Sequence, residues 1–168
     1  GKTKIKAENL IRNFAKKNKI NYGILRYFNI AGSSPLGRIG LINKNSDHLF
    51  KNFSIEILKK KPKLKIYGTN YKTKDGSCIR DFIHVSDIAE IHYLVLEKIN
   101  KLNISKILNC GYNKGTSVLQ VAKEFKRQST KKVNIIESKR RSKDLIKIIA
   151  SNNNLKKFLN WKPKFNNL

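Results

Sequence analysis

Several residue types are scarce in these 168 residues: the sequence has no methionine, two cysteines, three prolines and one tryptophan. An intact translation product normally begins with methionine, so we expect this chain to be a piece of a longer protein. Cys78 and Cys110 are too few for a disulfide framework and lack CxxC spacing, which favours a reducing, cytoplasmic compartment. No apolar run approaches the ~20 residues that span a bilayer, and no signal-peptide pattern is present.

Acidic residues are also scarce, with 11 Asp and Glu against 37 Lys and Arg and a net charge of +26. This balance is typical of proteins that bind nucleic acid or anionic membranes. However, 30 of the cations are lysines, and they are spread evenly along the chain. Lys, Asn and Ile all have A/T-rich codons. We therefore favour compositional drift and keep a basic nucleic-acid-binding module as the alternative from a different class.

Alternating strand and helix patterns predict an α/β fold of one domain's size. Apolar residues at helical spacing predict a buried stripe on the first helix: Ala7, Leu10, Ile11, Phe14 and Ala15. Asp47 and Asp87 are the predicted N-caps of two later helices, and Ser117 with Gln120 forms a capping box. The predicted helices cover 3–17, 47–60, 87–99, 117–128 and 151–159, and the predicted strands cover 22–30, 64–67, 78–83, 107–110 and 133–136, with a loop over 33–46.

Two nucleotide-binding motifs are missing from the sequence: it contains neither GxGxxG nor a Walker loop. If the protein uses a dinucleotide, the glycines that hold its phosphates lie outside this chain. The three histidines, His48, His84 and His92, have no zinc-ligand spacing, and His84 is interpreted as a core residue. No Ser/His/Asp or Cys/His arrangement for nucleophilic catalysis is visible.

Two polar residues stand at positions where a ligand is one explanation. Lys4 shares the apolar face of the first helix, where a cation needs a partner or a function; a first-turn lysine that extends to solvent is the other interpretation. Asn29 closes an apolar strand, and ligands of open α/β sheets bind at the carboxyl ends of strands. An asparagine that merely turns the chain explains Asn29 equally well.

Arginines form the most informative polar pattern, because there are only seven. Arg80 lies inside the strand CIRDFI and requires an anion, either Asp81 or a ligand phosphate held bidentately. Neighbours alternate across a strand, so Arg80 and Asp81 are expected on opposite faces. Arg140 and Arg141 precede Asp144, which combines phosphate-binding groups with an acceptor for sugar hydroxyls. A charged surface loop is the alternative for that segment.

These residues belong to a series of motifs that resembles the UDP-glucose 4-epimerase family of extended short-chain dehydrogenases. In chain order the motifs are GKTK (1–4, the end of a Tyr-x-x-x-Lys motif), LRYFNIAG (25–32), GRIG (37–40), DHL (47–49), IYG (66–68), DGSCIRDFIHVSDIAE (75–90), NCGYNKGTSVLQV (109–121), RRSKD (140–144) and LNWKPK (159–164). The similarity covers nearly the whole chain. The strings DGSCIRDFIHV and NKGTSVLQV are the most specific of them.

The resemblance implies an architecture. Residues 1–32 would be the tail of a Rossmann-like NAD-binding domain. Residues 33–168 would mainly form the smaller substrate-binding region, with some segments returning to the Rossmann-like sheet. The catalytic tyrosine would immediately precede Gly1, so this piece alone would be inactive, and the full-length protein would be a homodimer without membrane contact.

The resemblance also implies residue roles and a reaction. Lys4 would be the catalytic lysine, which lowers the pKa of the tyrosine and contacts the nicotinamide ribose of NAD, and Phe28 would lie near the nicotinamide. The UDP-sugar would be bound by Asn29, His48, Leu49, Lys65, Ile66, Tyr67, Arg80, Arg141 and Asp144. Of these, Arg80 and Arg141 would hold the diphosphate, Tyr67 and its neighbours the uracil, and Asp144 the ribose. Hydride exchange with NAD would invert C4 through a 4-keto sugar.

The sequence departs from the family pattern in two loops, and it leaves the substrate open. Lys143 stands where the family usually has glycine, and residues 40–46 are less acidic than usual. A related extended dehydrogenase that acts on UDP-N-acetylhexosamine or UDP-glucuronate is the alternative within the same enzyme class.

Overall fold

The structure, a computed structural model, describes residues 1–43, 46–142 and 144–167. Helices and strands alternate along the chain, which confirms the predicted α/β fold. The elements are α1 (Lys2–Asn18), β1 (Gly23–Tyr27), β2 (Asn29–Ala31), α2 (Leu49–Leu58), β3 (Lys63–Tyr67), β4 (Ile79–Arg80), β5 (Phe82–His84), α3 (Val85–Leu102), β6 (Lys106–Cys110), β7 (Thr116–Ser117), α4 (Val118–Gln128), β8 (Asn134–Ser138), β9 (Lys147–Ile148) and α5 (Asn153–Leu159).

Most strand pairs join segments that are distant in the sequence and run parallel. β1 pairs with β6, β2 with β5, and β3 with β8. β4 is the central strand of a three-stranded sheet, antiparallel to β7 and parallel to β9. Among the described strands, none pairs with the second edge of β1. Parallel pairing needs long crossovers, so remote parts of the chain meet at the ends of these strands.

Two apolar clusters hold the elements together. The first joins α3 and α5 to the β1–β6 pair, and its buried members include Ile91, Leu108 and Leu155. The second packs α2 and α4 on β3, with Phe53 and Val121 in its centre. Fully burying an aliphatic or aromatic side chain of this size contributes about 1.5–3 kcal/mol. These clusters therefore fix the positions of the strands that contribute to them, which are β1, β2, β3, β5, β6 and β8.

The structure corrects the extent of two predicted strands. The apolar run 22–30 is not one strand, because it breaks at Phe28, and Asn29 begins β2 instead of closing β1. The run 78–83 is likewise divided, because it breaks at Asp81 between β4 and β5. In each run the two halves pair with different strands. In the first run β1 pairs with β6 and β2 with β5, and in the second run β4 pairs with β7 and β9 whereas β5 pairs with β2. Hydropathy does not encode this change of partner.

The predicted helix caps are partly wrong. His48 and His84, not Asp47 and Asp87, precede α2 and α3. The Nδ1 atom of His84 accepts the N–H of Ser86, whereas Asp87 is buried in the first turn of α3. The capping box of α4 is confirmed.

The predicted burial of the α1 stripe is also wrong. Of its five residues only Ala15 is buried, and Leu10 and Phe14 are 70% and 62% exposed. Lys4 is exposed as well. The helix is fastened by an ion pair between Glu8 and Arg26, and among the described elements none covers the apolar stripe. No helix among the described residues has the length and apolar character needed to cross a membrane.

The capping box at α4 generates a stability prediction. The Ser117 hydroxyl accepts the N–H of Gln120 at 3.0 Å and donates to the carboxylate of Asp75. We expect Ser117→Ala to lower the free energy of unfolding by about 0.5–2 kcal/mol, the usual loss for an N-cap serine. Urea denaturation measures this loss. Ser54→Ala is the control, because it removes an exposed hydroxyl on α2 that donates to the carbonyl oxygen of Phe50. This variant should keep the unfolding free energy of the wild type. Equal urea midpoints for Ser117→Ala and Ser54→Ala would contradict the prediction.

The Asp75 carboxyl generates a pH prediction. Burial alone would raise its pKa, but hydrogen bonds from the Ser117 hydroxyl and from the N–H and hydroxyl of Ser77 lower the pKa below its usual value. A depressed pKa stabilises the fold above the unfolded pKa of about 3.9, and this contribution is lost as the pH falls through the folded pKa. The difference in unfolding free energy between the wild type and Asp75→Asn should therefore be constant from about pH 7 to 5 and shrink below about pH 4. Urea titrations across this range measure it, and a difference that grew on acidification would contradict the assignment.

Candidate functional site

A cleft of about 880 Å³ lies between α2, β3, β4 and the segment before β9. This volume is within the range of small-molecule sites, about 300–1,000 Å³. The cleft brings together most of the residues that the sequence nominated: Asn29, His48, Leu49, Lys65, Tyr67, Arg80, Arg141 and Asp144. They come from five separate segments of the chain, which the strand pairing described above joins.

β3 illustrates how the core determines what faces the cleft. Its residues alternate, with Leu64 and Ile66 fully buried in the second apolar cluster. Side chains of a strand point alternately to opposite faces, so Lys63, Lys65 and Tyr67 face outward and line the cleft. The side chain of Ile66 therefore belongs to the core and does not line the cleft.

Arg80 projects into the cleft from β4, with its side chain only 11% exposed. Its Nη1 atom donates to the carbonyl oxygens of Ile79 at 2.9 Å and Leu145 at 2.7 Å. Its Nη2 atom lies 3.8 Å from Oδ1 of Asp144. An arginine has five N–H donors, so Arg80 retains donors for an anionic ligand while it holds residues 144–145 beside β4.

The two neighbouring arginines before Asp144 each stack on a tyrosine. The Arg141 guanidinium carbon lies 4.2 Å from the centroid of the Tyr67 ring, and that of Arg140 lies 3.9 Å from the Tyr71 ring. Arg140 also donates to the carbonyl oxygen of Asn70. Burial and the neighbouring Cys78 raise the pKa of Tyr71. A guanidinium and an aromatic face thus stand at the same end of the cleft.

Cations outnumber acids along the cleft walls. The cationic lining residues are Lys59, Lys63, Lys65, Arg80 and Arg141, and the acidic ones are Asp47, Glu56 and Asp144. Glu56 is already paired with Lys59. A concave surface with this excess of positive charge concentrates anions. The Arg141 guanidinium covers one face of the Tyr67 ring, so a planar ligand group would have to stack on the opposite face.

Besides Ile66, two nominated residues do not line the cleft. Lys4 stands exposed near the start of α1, and Phe28 is half-buried in the break between β1 and β2. Neither contributes to the cleft lining. Lys143, the departure noted in the RRSKD segment, lies outside the described residues, as do residues 44 and 45 of the 40–46 loop.

Sequence reasoning missed several cleft residues. Lys63 follows the same alternation as Lys65 and Tyr67, so the pattern of β3 was sufficient to find it. Asn52 and Glu56 lie one turn apart on α2 and line the cleft, which no local signal in the sequence indicates. Among the described residues, no cluster of His, Cys, Asp or Glu is suitable for a metal ion.

A second cavity of about 420 Å³ contains none of the nominated residues. It is lined by aromatic side chains, including Phe125 and Phe165, and it borders the cleft at Phe50 and Phe82. The larger cleft therefore carries the nominated chemistry.

Comparison with known proteins identifies the family of the chain. Residues 1–111 match the model of the NAD dependent epimerase/dehydratase family. The chain is 37% identical over 168 residues to the UDP-glucose 4-epimerase of Azospirillum brasilense, covering 100% of this chain and 48% of that protein. It is 36% identical to the UDP-glucose 4-epimerase of Halalkalibacterium halodurans, covering 100% and 50%. The chain thus spans about half the length of the curated relatives it matches.

Solved structures give the same result. The UDP-glucose 4-epimerase from Brucella ovis in complex with NAD superposes with a TM-score of 0.90 at 28% identity, covering 99% of this chain and 51% of that one. The UDP-glucose 4-epimerase from Bifidobacterium longum in complex with NAD⁺ and UDP gives a TM-score of 0.86 at 26% identity, covering 98% and 49%.

Proposed function

Because the chain belongs to the NAD dependent epimerase/dehydratase family, we propose that it carries the UDP-sugar site of a UDP-glucose 4-epimerase. The observation that supports this most directly is the composition of the cleft. Arg80 and Arg141 supply guanidinium groups for a diphosphate, Tyr67 supplies an aromatic face for the uracil, and Asp144 supplies an acceptor for ribose hydroxyls. Bidentate guanidinium contacts suit phosphate geometry.

The proposed reaction interconverts UDP-glucose and UDP-galactose by inversion at C4. NAD supplies the hydride acceptor and donor for this chemistry. The chain contributes Lys4 and Phe28 on the nicotinamide side, but its sequence has no glycine-rich turn to cradle the pyrophosphate. We therefore propose that residues outside this chain hold the pyrophosphate and that the chain alone has no epimerase activity. The full-length enzyme is proposed to be a homodimer.

Uridine diphosphate is the probe for the proposed site. We expect the protein to bind UDP, and Arg80→Ala or Arg141→Ala to weaken binding by about 1.5–3 kcal/mol, the range for a hydrogen bond to a charged group. Isothermal titration calorimetry measures the dissociation constant. In the full-length enzyme the loss should fall mainly on KM, since a diphosphate is bound equally in the ground and transition states.

Arg127→Ala is the matched control, because Arg127 is an exposed arginine on α4 paired with Glu124 and does not line the cleft. Its UDP affinity should equal that of the wild type. Wild-type affinity in Arg80→Ala or Arg141→Ala would exclude that residue from diphosphate binding. If the full-length enzyme converts UDP-N-acetylglucosamine or UDP-glucuronate in preference to UDP-glucose, its substrate is that UDP-sugar and not UDP-glucose.

Lys4 generates a separate catalytic prediction. In the full-length enzyme, Lys4→Met should lower kcat strongly and leave UDP binding nearly unchanged, because Lys4 lies outside the cleft. The charge of Lys4 would favour the phenolate form of the catalytic tyrosine, so its loss should raise the pKa of that tyrosine. Each unit of this rise corresponds to about 1.4 kcal/mol, and the pH–rate profile should shift to higher pH by the same number of units.

Lys6→Met is the control for Lys4, because Lys6 is another exposed lysine in the first turns of α1 and points in nearly the opposite direction. It should preserve kcat and the pH profile. Equal kcat values and superimposable profiles for the wild type and Lys4→Met would identify Lys4 as a solvated lysine without a catalytic role.

A further inference from the structure

Asp81 is a fully buried carboxylate that the proposed reaction does not use. It lies in the break between β4 and β5, directly after Arg80. Its Oδ1 atom accepts the N–H of Tyr112 at 2.9 Å, and its Oδ2 atom accepts the N–H groups of Asn113 at 2.9 Å and Ala150 at 3.1 Å. Three backbone donors therefore satisfy a charge that would otherwise be costly to bury.

The backbone of Asp81 adds two further hydrogen bonds. Its N–H donates to the carbonyl oxygen of Ile148 at 3.0 Å, and its carbonyl oxygen accepts the N–H of Asn29 at 3.0 Å. One residue thus connects the start of β2, the loop after β6 and the end of β9. Asn29 lines the cleft, and β9 follows the segment that carries Arg141 and Asp144.

The segment that leads from Asp144 to Ala150 is held along β4 at every second residue. Ile146 accepts the N–H of Ile79 at 2.9 Å, Ile148 accepts the N–H of Asp81, and the side chain of Asp81 binds Ala150. The last two attachments are both made by Asp81. They extend the pairing of Ile79 with Lys147 and of Arg80 with Ile148 beyond the end of β9.

The surroundings of the carboxylate leave little freedom for it to move. A Cβ atom placed on Gly111 would lie 2.8 Å from Oδ2 of Asp81 and 2.5 Å from the Cβ of Ala150. An asparagine at position 81 fits the same volume, but its NH₂ group would face backbone N–H donors instead of accepting from them. Asp81→Asn therefore weakens the side-chain hydrogen bonds to Tyr112, Asn113 and Ala150 without removing bulk, and it leaves the backbone hydrogen bonds of residue 81 in place.

We propose that the side chain of Asp81 is a positioning element for the UDP-sugar site. By accepting the N–H groups of Tyr112, Asn113 and Ala150, it fixes the position of the segment that carries Asp144 relative to Arg80. This role rests on the proposed function. According to this proposal, the buried carboxylate increases the affinity for the ligand and also stabilises the fold, although it does not itself line the cleft.

Asp87→Asn is a matched control for Asp81→Asn. Asp87 is also fully buried, and it accepts the backbone N–H groups of Lys164 and Phe165, both at 3.1 Å, and the hydroxyl of Tyr112. Lys164 and Phe165 belong to the C-terminal segment and Tyr112 to the loop after β6, and none of the three lines the cleft. Both substitutions should lower the melting temperature, whereas only Asp81→Asn should change the cleft.

The experiment measures UDP affinity by calorimetry at a temperature where circular dichroism shows both variants folded. We expect the dissociation constant of Asp81→Asn to rise at least tenfold and that of Asp87→Asn to stay within twofold of the wild type. Equal affinities for Asp81→Asn and the wild type, or equal losses in both variants, would overturn the positioning role. Failure of the wild type to bind UDP would instead overturn the proposed function, and the positioning role with it.

Hydrogen exchange on the wild type provides a second measurement if Asp81→Asn does not fold. Linkage is reciprocal, so if the Asp81 contacts organise the site, UDP should slow the exchange of the N–H groups of Tyr112, Asn113 and Ala150. Those of Lys164 and Phe165, bound to Asp87, should be unaffected. Equal protection of the two groups, or none, would contradict the proposal.

Discussion

The alternation of β3 is the constraint on which the cleft depends. Leu64 and Ile66 are fully buried between α2 and α4. Burial of these two side chains fixes which residues of the strand face the opposite side. Lys63, Lys65 and Tyr67 must therefore point away from the core. A slip of one residue would bury two lysines and expose the aliphatic pair, so the apolar cluster specifies the polar wall of the site as firmly as it stabilises the fold.

Local patterns in the sequence predict those elements whose signals are local. The amphipathic pattern of α4 and its capping box at Ser117 are sufficient to place that helix, and the apolar runs of β3 and β6 locate those strands. The sequence does not predict the breaks at Phe28 and Asp81, because each break reflects a change of partner strand. The two-residue strands β7 and β9 exist only through their pairing with β4, so no local preference announces them.

The candidate site was predictable to a different extent. Resemblance to a known family nominated the eight cleft residues from Asn29 to Asp144, although they are scattered over five segments. Physical reasoning alone identified Arg80 as an interior arginine in need of an anion, and the structure adds that this residue also holds Leu145 in place. The apolar stripe of α1 is amphipathic as predicted, but the prediction that it is buried is wrong. An amphipathic pattern indicates that a helix can pack against a partner, and it does not show that such a partner exists among the described elements.

The second edge of β1 has a consequence for how this chain behaves in solution. No strand of the described residues pairs with this edge, and such an edge presents backbone donors and acceptors that a strand of another molecule can use. Opposing this association is the mutual repulsion of molecules that each carry a net charge of +26. Salt weakens repulsion beyond about 8 Å at physiological ionic strength, whereas hydrogen bonding along a strand edge is a contact interaction. The net charge of +26 should therefore oppose this association most strongly at low ionic strength.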